Sequence, residues 1–290
     1  MRALRIQGLI FSGAALLVAL AAMLSPRSAE GASFALMMAT IVMLGVPHGA
    51  LDTVFAQRLH RLRTRTGWTL FTLAYLVAAG AVVAVWHLAP TASLAGFLVI
   101  SVAHFSSDPA EGTPAIARLV YGGALIFLPC VLHADEVGRL LSSLAGADAA
   151  SSLLPGLRVI AIAWVTVYAV VVLALVPAHR IASLELAATA LLAILAPPLL
   201  AFTVYFCGMH SARHILRTRD RFDLVAPGSL LDAALLPMLA VVVLGGAAWH
   251  WLRVLPVDAR ILRLVFVGLA ALTVPHMALV DRGRILQLGR

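Results

Sequence analysis

Five histidines and one aspartate interrupt apolar segments of the sequence at points where a membrane helix would otherwise continue. An uncompensated polar group in hydrocarbon costs about 2–7 kcal/mol, so ionisable residues within such segments are candidates for a functional site. Imidazole is a ligand for Zn, Cu, Fe and Ni, and five imidazoles predict a buried metal centre. A hydrogen-bonded polar network or a proton path remains the alternative. The residues are His48, Asp52, His104, His210, His214 and His276.

The spacing of these residues supports a shared site. His210 and His214 are four positions apart, so on a helix they share one face, with Cβ atoms about 5–6 Å apart. His48 and Asp52 have the same spacing. This predicts that Asp52 is either a ligand or the acceptor for the second N–H of an imidazole, and the imidazole expected nearest to it is that of His48. Cys207 leaves thiolate ligation open, although a buried free thiol is the usual case. A set of neutral nitrogens in a lipid setting favours redox iron over hydrolytic zinc.

A proline directly precedes two of the histidines, in the near-identical hexamers "VPHGAL" and "VPHMAL". Pro47 and Pro275 each remove one backbone N–H and are expected to kink their helices. In a bundle, the carbonyls freed in this way can orient imidazole N–H groups.

The composition excludes a soluble protein. The 290 residues are 62% hydrophobic and 12% charged, with a mean hydropathy of +1.01. Long continuous apolar runs, rather than short alternating ones, predict membrane helices and not a membrane β-barrel. The net charge of +8 comes from arginines alone and indicates loops on the cytoplasmic side rather than a nucleic-acid partner. Two cysteines without a CxxC motif imply no disulfide framework.

We therefore predict an all-α, polytopic integral membrane protein, a single transmembrane domain over 1–290 with about 8–10 helices around a histidine metal site. The first apolar segment is interpreted as a retained helix rather than a signal peptide, and the polar region 134–156 as a short interfacial helix. Region 181–217, broken by Pro197 and Pro198, is either one kinked helix or two helices that meet at a reversal. The candidate spans are 6–24, 33–56, 68–88, 92–107, 114–133, 157–176, 181–196, 198–217, 230–252 and 260–281.

The distribution of arginines favours two helices in region 181–217. With the N-terminus in the cytoplasm, this threading places fifteen arginines on the cytoplasmic side and six on the other. A single helix would move the cluster 213–221 outside and break the pattern. Both termini are then cytoplasmic, in the inner membrane of a bacterium. The five histidines fall near the cytoplasmic ends of their spans at similar depth, although the threading was chosen on arginines alone.

Four motifs together resemble the Brp/Blh-type bacterial β-carotene 15,15′-dioxygenases. They are "GVPHGALD", "AHFSSD", "YFCGMHSARH" and "VPHMALVD", which occur in that order between positions 45 and 281. The resemblance implies a polytopic membrane enzyme that uses non-haem Fe(II) and O₂ to cleave the central double bond of β-carotene into two retinal molecules. It also implies the lipid bilayer as surroundings, no nucleic acid, and a possible functional link to a retinal-binding rhodopsin.

The resemblance also implies roles for individual residues. His48, His104, His210 and His214 match the histidines assigned to iron, His276 matches a further ligand or a partner of the ligands, and Asp52 matches the acid of the first motif. Because β-carotene dissolves in the bilayer, the site should open sideways to lipid through a long, apolar, aromatic pocket. Candidates for stacking on the polyene are Phe105, Tyr205 and Phe206.

Other functions remain possible for such a sequence. A membrane di-iron hydroxylase or desaturase would also use histidines, but in several HxxxH or HxxHH clusters, whereas this chain has one HxxxH. The histidines and Asp52 would equally serve a proton or metal transporter. A non-enzymatic accessory protein for a rhodopsin is the third alternative.

Overall fold

The chain is helical throughout the residues that the structure describes. This computed structural model describes residues 2–25, 33–224 and 228–288, the last eight by their backbone alone. The helices are α1 (Arg2–Leu24), α2 (Phe34–His60), α3 (Arg65–Leu88), α4 (Pro90–Phe105), α5 (Ala115–Val131), α6 (Ala134–Ala145), α7 (Ala147–Leu175), α8 (Arg180–Leu195), α9 (Pro198–Tyr205), α10 (Ala212–Phe222), α11 (Ser229–Trp251) and α12 (Val257–Leu288).

The predicted class, an all-α bundle of membrane helices, is confirmed. Among the described helices, α1, α2, α3, α7, α11 and the part of α12 up to Val280 are long and apolar enough to cross a membrane. A seventh span results if α5 and α6, which meet at 111°, are counted as one. Six or seven spans are fewer than the eight to ten membrane helices expected. The difference arises because α4 and α8 have only 16 residues each and because a π turn divides the segment after Pro198.

Region 181–217 reverses direction at Pro197, as the arginine count predicted, with α8 before the reversal and α9, a π turn and α10 after it. Ala196 is extended and separates α8 from α9. Glu185 and Arg213 lie on either side of this break, and their side chains form an ion pair with an N–O distance of 2.6 Å. Along one uninterrupted helix the same 28 positions would span about 42 Å. The side of the membrane stays a prediction, and Arg27, Arg290 and part of the 222–229 loop lie outside the described residues.

The ion pair between Glu185 and Arg213 is buried and joins three helices. Arg213 donates two hydrogen bonds to the Glu185 carboxylate, of 2.6 and 2.9 Å, and its Nε donates to Gln7 of α1 at 2.8 Å. Gln7 also donates to the carbonyl of Gly208. A Cβ at Gly8 would collide with the Glu185 carboxylate, so α1 reaches this distance from α8 only with glycine at that position.

Removal of one partner of this pair should destabilise the protein strongly. Glu185→Ala leaves the Arg213 charge buried and unpaired, which is expected to lower the free energy of unfolding by about 3–5 kcal/mol. Denaturant titration of the purified protein measures the change. Asp220→Ala is the matched control, because it removes the acid of an exposed pair with Arg219 and should cost at most about 1 kcal/mol. Equal effects of the two variants would contradict this account.

Candidate metal centre

The five predicted histidines converge on one point inside the bundle. They come from α2, α4, α10, α12 and the π turn Phe206–Ser211 between α9 and α10. The His48 ring lies 4.8, 5.3 and 5.5 Å from those of His210, His276 and His214, measured between ring centroids. The rings of His104 and His210 are 4.5 Å apart. The similar depth expected from the sequence therefore corresponds to contact in space.

The ring nitrogens fit a metal ion. One nitrogen each from His48, His104 and His276 lies within 4.8 Å of the others. The Nε2 atoms of His210, His214 and His276 are buried, and each has no hydrogen-bond partner among the described residues. One of them belongs to His276, which is also a member of the group of three above. Buried polar atoms nearly always have a hydrogen-bond partner, so these three unpartnered nitrogens need a common explanation. Coordination of one ion, for which imidazole nitrogen is a suitable ligand, provides it.

The backbone around Pro47 orients the His48 ring. The chain makes a π turn at Ile41–Gly45, and Gly49 then donates to Val46 instead of to Gly45. The Gly45 carbonyl is thereby free, and it lies 2.5 Å from His48 Nδ1. An N–H at Nδ1 leaves the lone pair on Nε2 for a ligand. The carbonyl that orients the ring is thus made available by the shifted bond of Gly49, and not by the missing N–H of Pro47 as the sequence predicted.

The two π turns of the site contact each other. Phe206 begins the second π turn, and a Cβ on Gly45 would collide with its ring, so the contact requires glycine. Ser211 ends the same turn and donates to the Gly45 carbonyl at 3.0 Å. Phe206 stacks on His210, with ring centroids 5.5 Å apart. Single π turns inside α-helices are frequent at functional sites, where they redirect side chains.

Asp52 orients an imidazole, but of a different histidine from the one its spacing suggested. Its Oδ1 lies 2.7 Å from Nδ1 of His276, and its Oδ2 accepts a 2.8 Å hydrogen bond from Tyr75. The helix is interrupted at Leu51, so the four-residue spacing from His48 no longer places the two side chains together. His276 therefore carries a ring oriented by an acceptor, as His48 does.

Asp108 performs the same task for His210 and was not singled out from the sequence. Its Oδ2 lies 2.9 Å from His210 Nδ1 and accepts a 2.6 Å hydrogen bond from Tyr205. Burial raises the pKa of Asp108, but His210, Tyr205 and Arg217 outweigh burial, so the pKa lies below its usual value. The feature of the sequence that could have identified Asp108 is its position, four residues after His104 and at the end of an apolar run.

A large apolar cavity borders the histidines and opens sideways. Its volume is about 540 Å³, and His48, His104 and His276 line it together with Phe105 and Phe206. Tyr205, also predicted to contact substrate, is not among the lining residues. Three lining leucines are exposed on the outside of the bundle, so the cavity opens between α3 and α11. They are Leu76 (44% exposed), Leu236 (76%) and Leu244 (54%).

Cys207 is a half-buried free thiol that lies 3.5 Å from the Thr40 carbonyl. The group of described residues that meets the geometric requirement for a metal consists of histidines and does not include this thiol.

The chain is similar to known proteins over most of its length. A family model described as beta-carotene 15,15′-dioxygenase matches residues 39–282. A beta-carotene 15,15′-dioxygenase of the uncultured marine bacterium 66A03 is 31% identical over 260 residues, which cover 84% of this chain and 91% of the relative. A probable beta-carotene 15,15′-dioxygenase Blh of Halobacterium salinarum is 26% identical, over 86% and 84% of the two chains. No solved structure matches.

The hydrogen bond from His210 to Asp108 predicts a loss of metal affinity in Asp108→Asn. The amide keeps the size of the carboxylate but removes its charge and replaces one of the two oxygens that face His210 Nδ1 with an NH₂ group, which cannot accept. Loss of such an acceptor typically lowers metal affinity by about 10–100-fold. Metal titration of the purified variant measures it, with Asp135→Asn on the exposed side of α6 as the control. Wild-type affinity in Asp108→Asn would refute the assignment.

Proposed function

The chain belongs to the β-carotene 15,15′-dioxygenase family of Brp/Blh type, and we propose that it cleaves the central double bond of β-carotene with O₂ to give two molecules of retinal. The observation that carries this proposal is the position of the histidine cluster on the wall of an apolar cavity that opens towards lipid. In the overall reaction, each carbon of the broken double bond receives one oxygen atom, so both products are aldehydes.

We assign Fe(II) to the histidine cluster. His48, His104, His210 and His214 would hold the ion, and the orphaned Nε2 of His276 supports a role for this residue as a fifth ligand. When bound, iron would supply the activation of O₂ towards an electron-rich alkene. The contribution of the chain is to hold the rings, since Asp52, Asp108 and the Gly45 carbonyl each accept from a ring nitrogen and fix the lone pair on the other.

The shape of the cavity suits a rod-like hydrocarbon. One face of α11, from Asp232 to Leu244, and one face of α3, from Trp68 to Ala79, line it. At 1.5 Å per residue the α11 face is about 18 Å long. Phe105 and Phe206 would contact the polyene beside the histidines, while Tyr205 positions Asp108 instead. The polyene then lies along the helices with its reacting bond at His48, His104 and His276.

The rest of the chemistry requires little from the protein. Oxygen addition to an alkene needs no strong general base, and both carboxylates at the site are already engaged by a histidine and a tyrosine. We propose the bacterial inner membrane as the location, with both termini cytoplasmic, and retinal as a product that a rhodopsin in the same membrane would bind. A proton or metal transporter is the competing function. It would show ion flux and no carotenoid turnover.

The histidine assignment can be tested in bacteria that accumulate β-carotene. Expression of the wild-type chain should remove the orange colour and yield retinal, measured by chromatography. His210→Ala and His214→Ala should each abolish both effects, because each removes a ligand nitrogen. His87→Ala on the exposed surface of α3 is the control and should bleach like the wild type. Bleaching by both site variants would refute the assignment, and purified active protein should contain one iron per chain.

The opening between α3 and α11 predicts a defect in substrate capture when it is narrowed. Leu236→Trp adds bulk to a residue that lines the cavity at its opening, and it should lower kcat/KM about tenfold, which corresponds to roughly 1.4 kcal/mol. The value of kcat should change less, because the histidines are untouched. Leu235→Trp places the same residue on the neighbouring exposed position outside the cavity. Equal kinetics of the two variants would show that substrate arrives by another path.

A further inference from the structure

A second, smaller cavity adjoins the large one along α4. We propose that it is a binding site for molecular oxygen, from which O₂ reaches the histidine cluster while the carotenoid occupies the large cavity. This inference rests on the proposed function, which supplies O₂ as a substrate. The cavity has a volume of about 120 Å³ and is lined by residues of α4, α5, α6, α7, α9 and α12.

The lining of this cavity is apolar. Its walls are leucine, isoleucine, valine, proline and phenylalanine side chains, and Ser101 is the exception. Each of these residues is buried or half-buried, whereas the large cavity has exposed leucines at its opening. Apolar cavities of this kind stay dry, because a water molecule needs two to four polar partners. The occupant must therefore be small and apolar.

The volume decides between the apolar molecules that the reaction involves. A dry cavity of about 150 Å³ lined by aliphatic and aromatic side chains binds benzene or xenon. The present cavity is smaller, so it does not accommodate a methylated six-membered ring together with its polyene arm. A diatomic gas fits, and O₂ is enriched in the surrounding hydrocarbon because it is itself apolar.

The cavity is separated from the reaction site by a single layer of side chains. Phe97, Ser101 and Phe105 lie about one turn apart on one face of α4 and line both cavities. Phe105 also contacts the histidine cluster, with its ring centroid 5.0 Å from that of His210 and 5.8 Å from that of His104. A rotation of one phenylalanine side chain would connect the small cavity with the site.

The geometry also separates the paths of the two substrates. A bound carotenoid fills the large cavity and covers the histidines from the side of α3 and α11. Oxygen that followed the same path would have to pass the polyene. The small cavity reaches the cluster past Phe105, from the side of α6 and α9, and neither of these helices lines the large cavity.

Xenon and steady-state kinetics with varied O₂ test the proposal. Val137 lines the small cavity, and Val137→Phe should fill it, abolish xenon binding measured by ¹²⁹Xe NMR, and raise KM for O₂ severalfold. KM for β-carotene should stay unchanged. The matched control is Val159→Phe, the same substitution at an exposed position on α7, which should alter none of these values. Should Val137→Phe fail to fold, Leu141→Phe in the same wall replaces it.

The outcomes distinguish the possible occupants. A rise in KM for β-carotene instead of O₂ would overturn the proposal in favour of a subsite for one arm of the carotenoid. If the wild type binds xenon but Val137→Phe leaves the kinetics unchanged, the cavity is a packing defect and the proposal is wrong. A wild type that cleaves β-carotene but binds no xenon would overturn the oxygen site alone. A wild type that binds xenon but cleaves no carotenoid would overturn the proposed function, and the oxygen role with it.

Discussion

An acceptor for one nitrogen of a buried imidazole fixes the ring and leaves the lone pair on the other nitrogen for a ligand role, and three of the five histidines are held in this way. This arrangement shapes the structure far beyond the site. Asp52, Asp108 and the Gly45 carbonyl act as the acceptors. Each carboxylate then needs its own donor, which Tyr75 supplies from α3 and Tyr205 from the end of α9. The hydrogen-bond network therefore extends from the histidines outward through the bundle.

The outermost part of this network explains the docking of α1. The backbone carbonyl of Asp108 accepts from Arg213 at 2.9 Å, and Arg213 is neutralised by Glu185 and bonded to Gln7. A buried pair of this kind contributes little net stability but is costly to break. Its value to the protein is positional, since the same guanidinium ties the loop after α4 to α1 and α8. The glycine at position 8 follows from this geometry rather than from any property of the metal site.

Much of the fold and the core of the site could be predicted from the sequence, because both depend on patterns that are local in the chain. Apolar runs gave the helix positions, and the arginine distribution gave the reversal at Pro197 and the common depth of the histidines. The partners of the imidazoles could not be predicted, since His210 and Asp108 are 102 positions apart and His276 and Asp52 are 224 apart. The helix interruption at Leu51 also redirected Asp52, which no spacing rule anticipates. Tyr205 was expected to contact substrate because it is next to Phe206 in the sequence. In the structure Phe206 lines the cavity, whereas Tyr205 bonds to Asp108, and sequence position alone could not separate the two.

The exposed leucines at the mouth of the large cavity have a consequence for the physical state of the protein. Neither α11, which has no buried residue within its described length, nor α3 closes the cavity completely. The remaining wall is whatever hydrocarbon surrounds the bundle, so acyl chains become part of the container for the polyene. Transfer from a bilayer to a micelle then replaces the acyl chains of this wall with detergent, and this alters the cavity as a mutation of a lining residue would. The thickness and fluidity of the host membrane are in this sense structural parameters of the site.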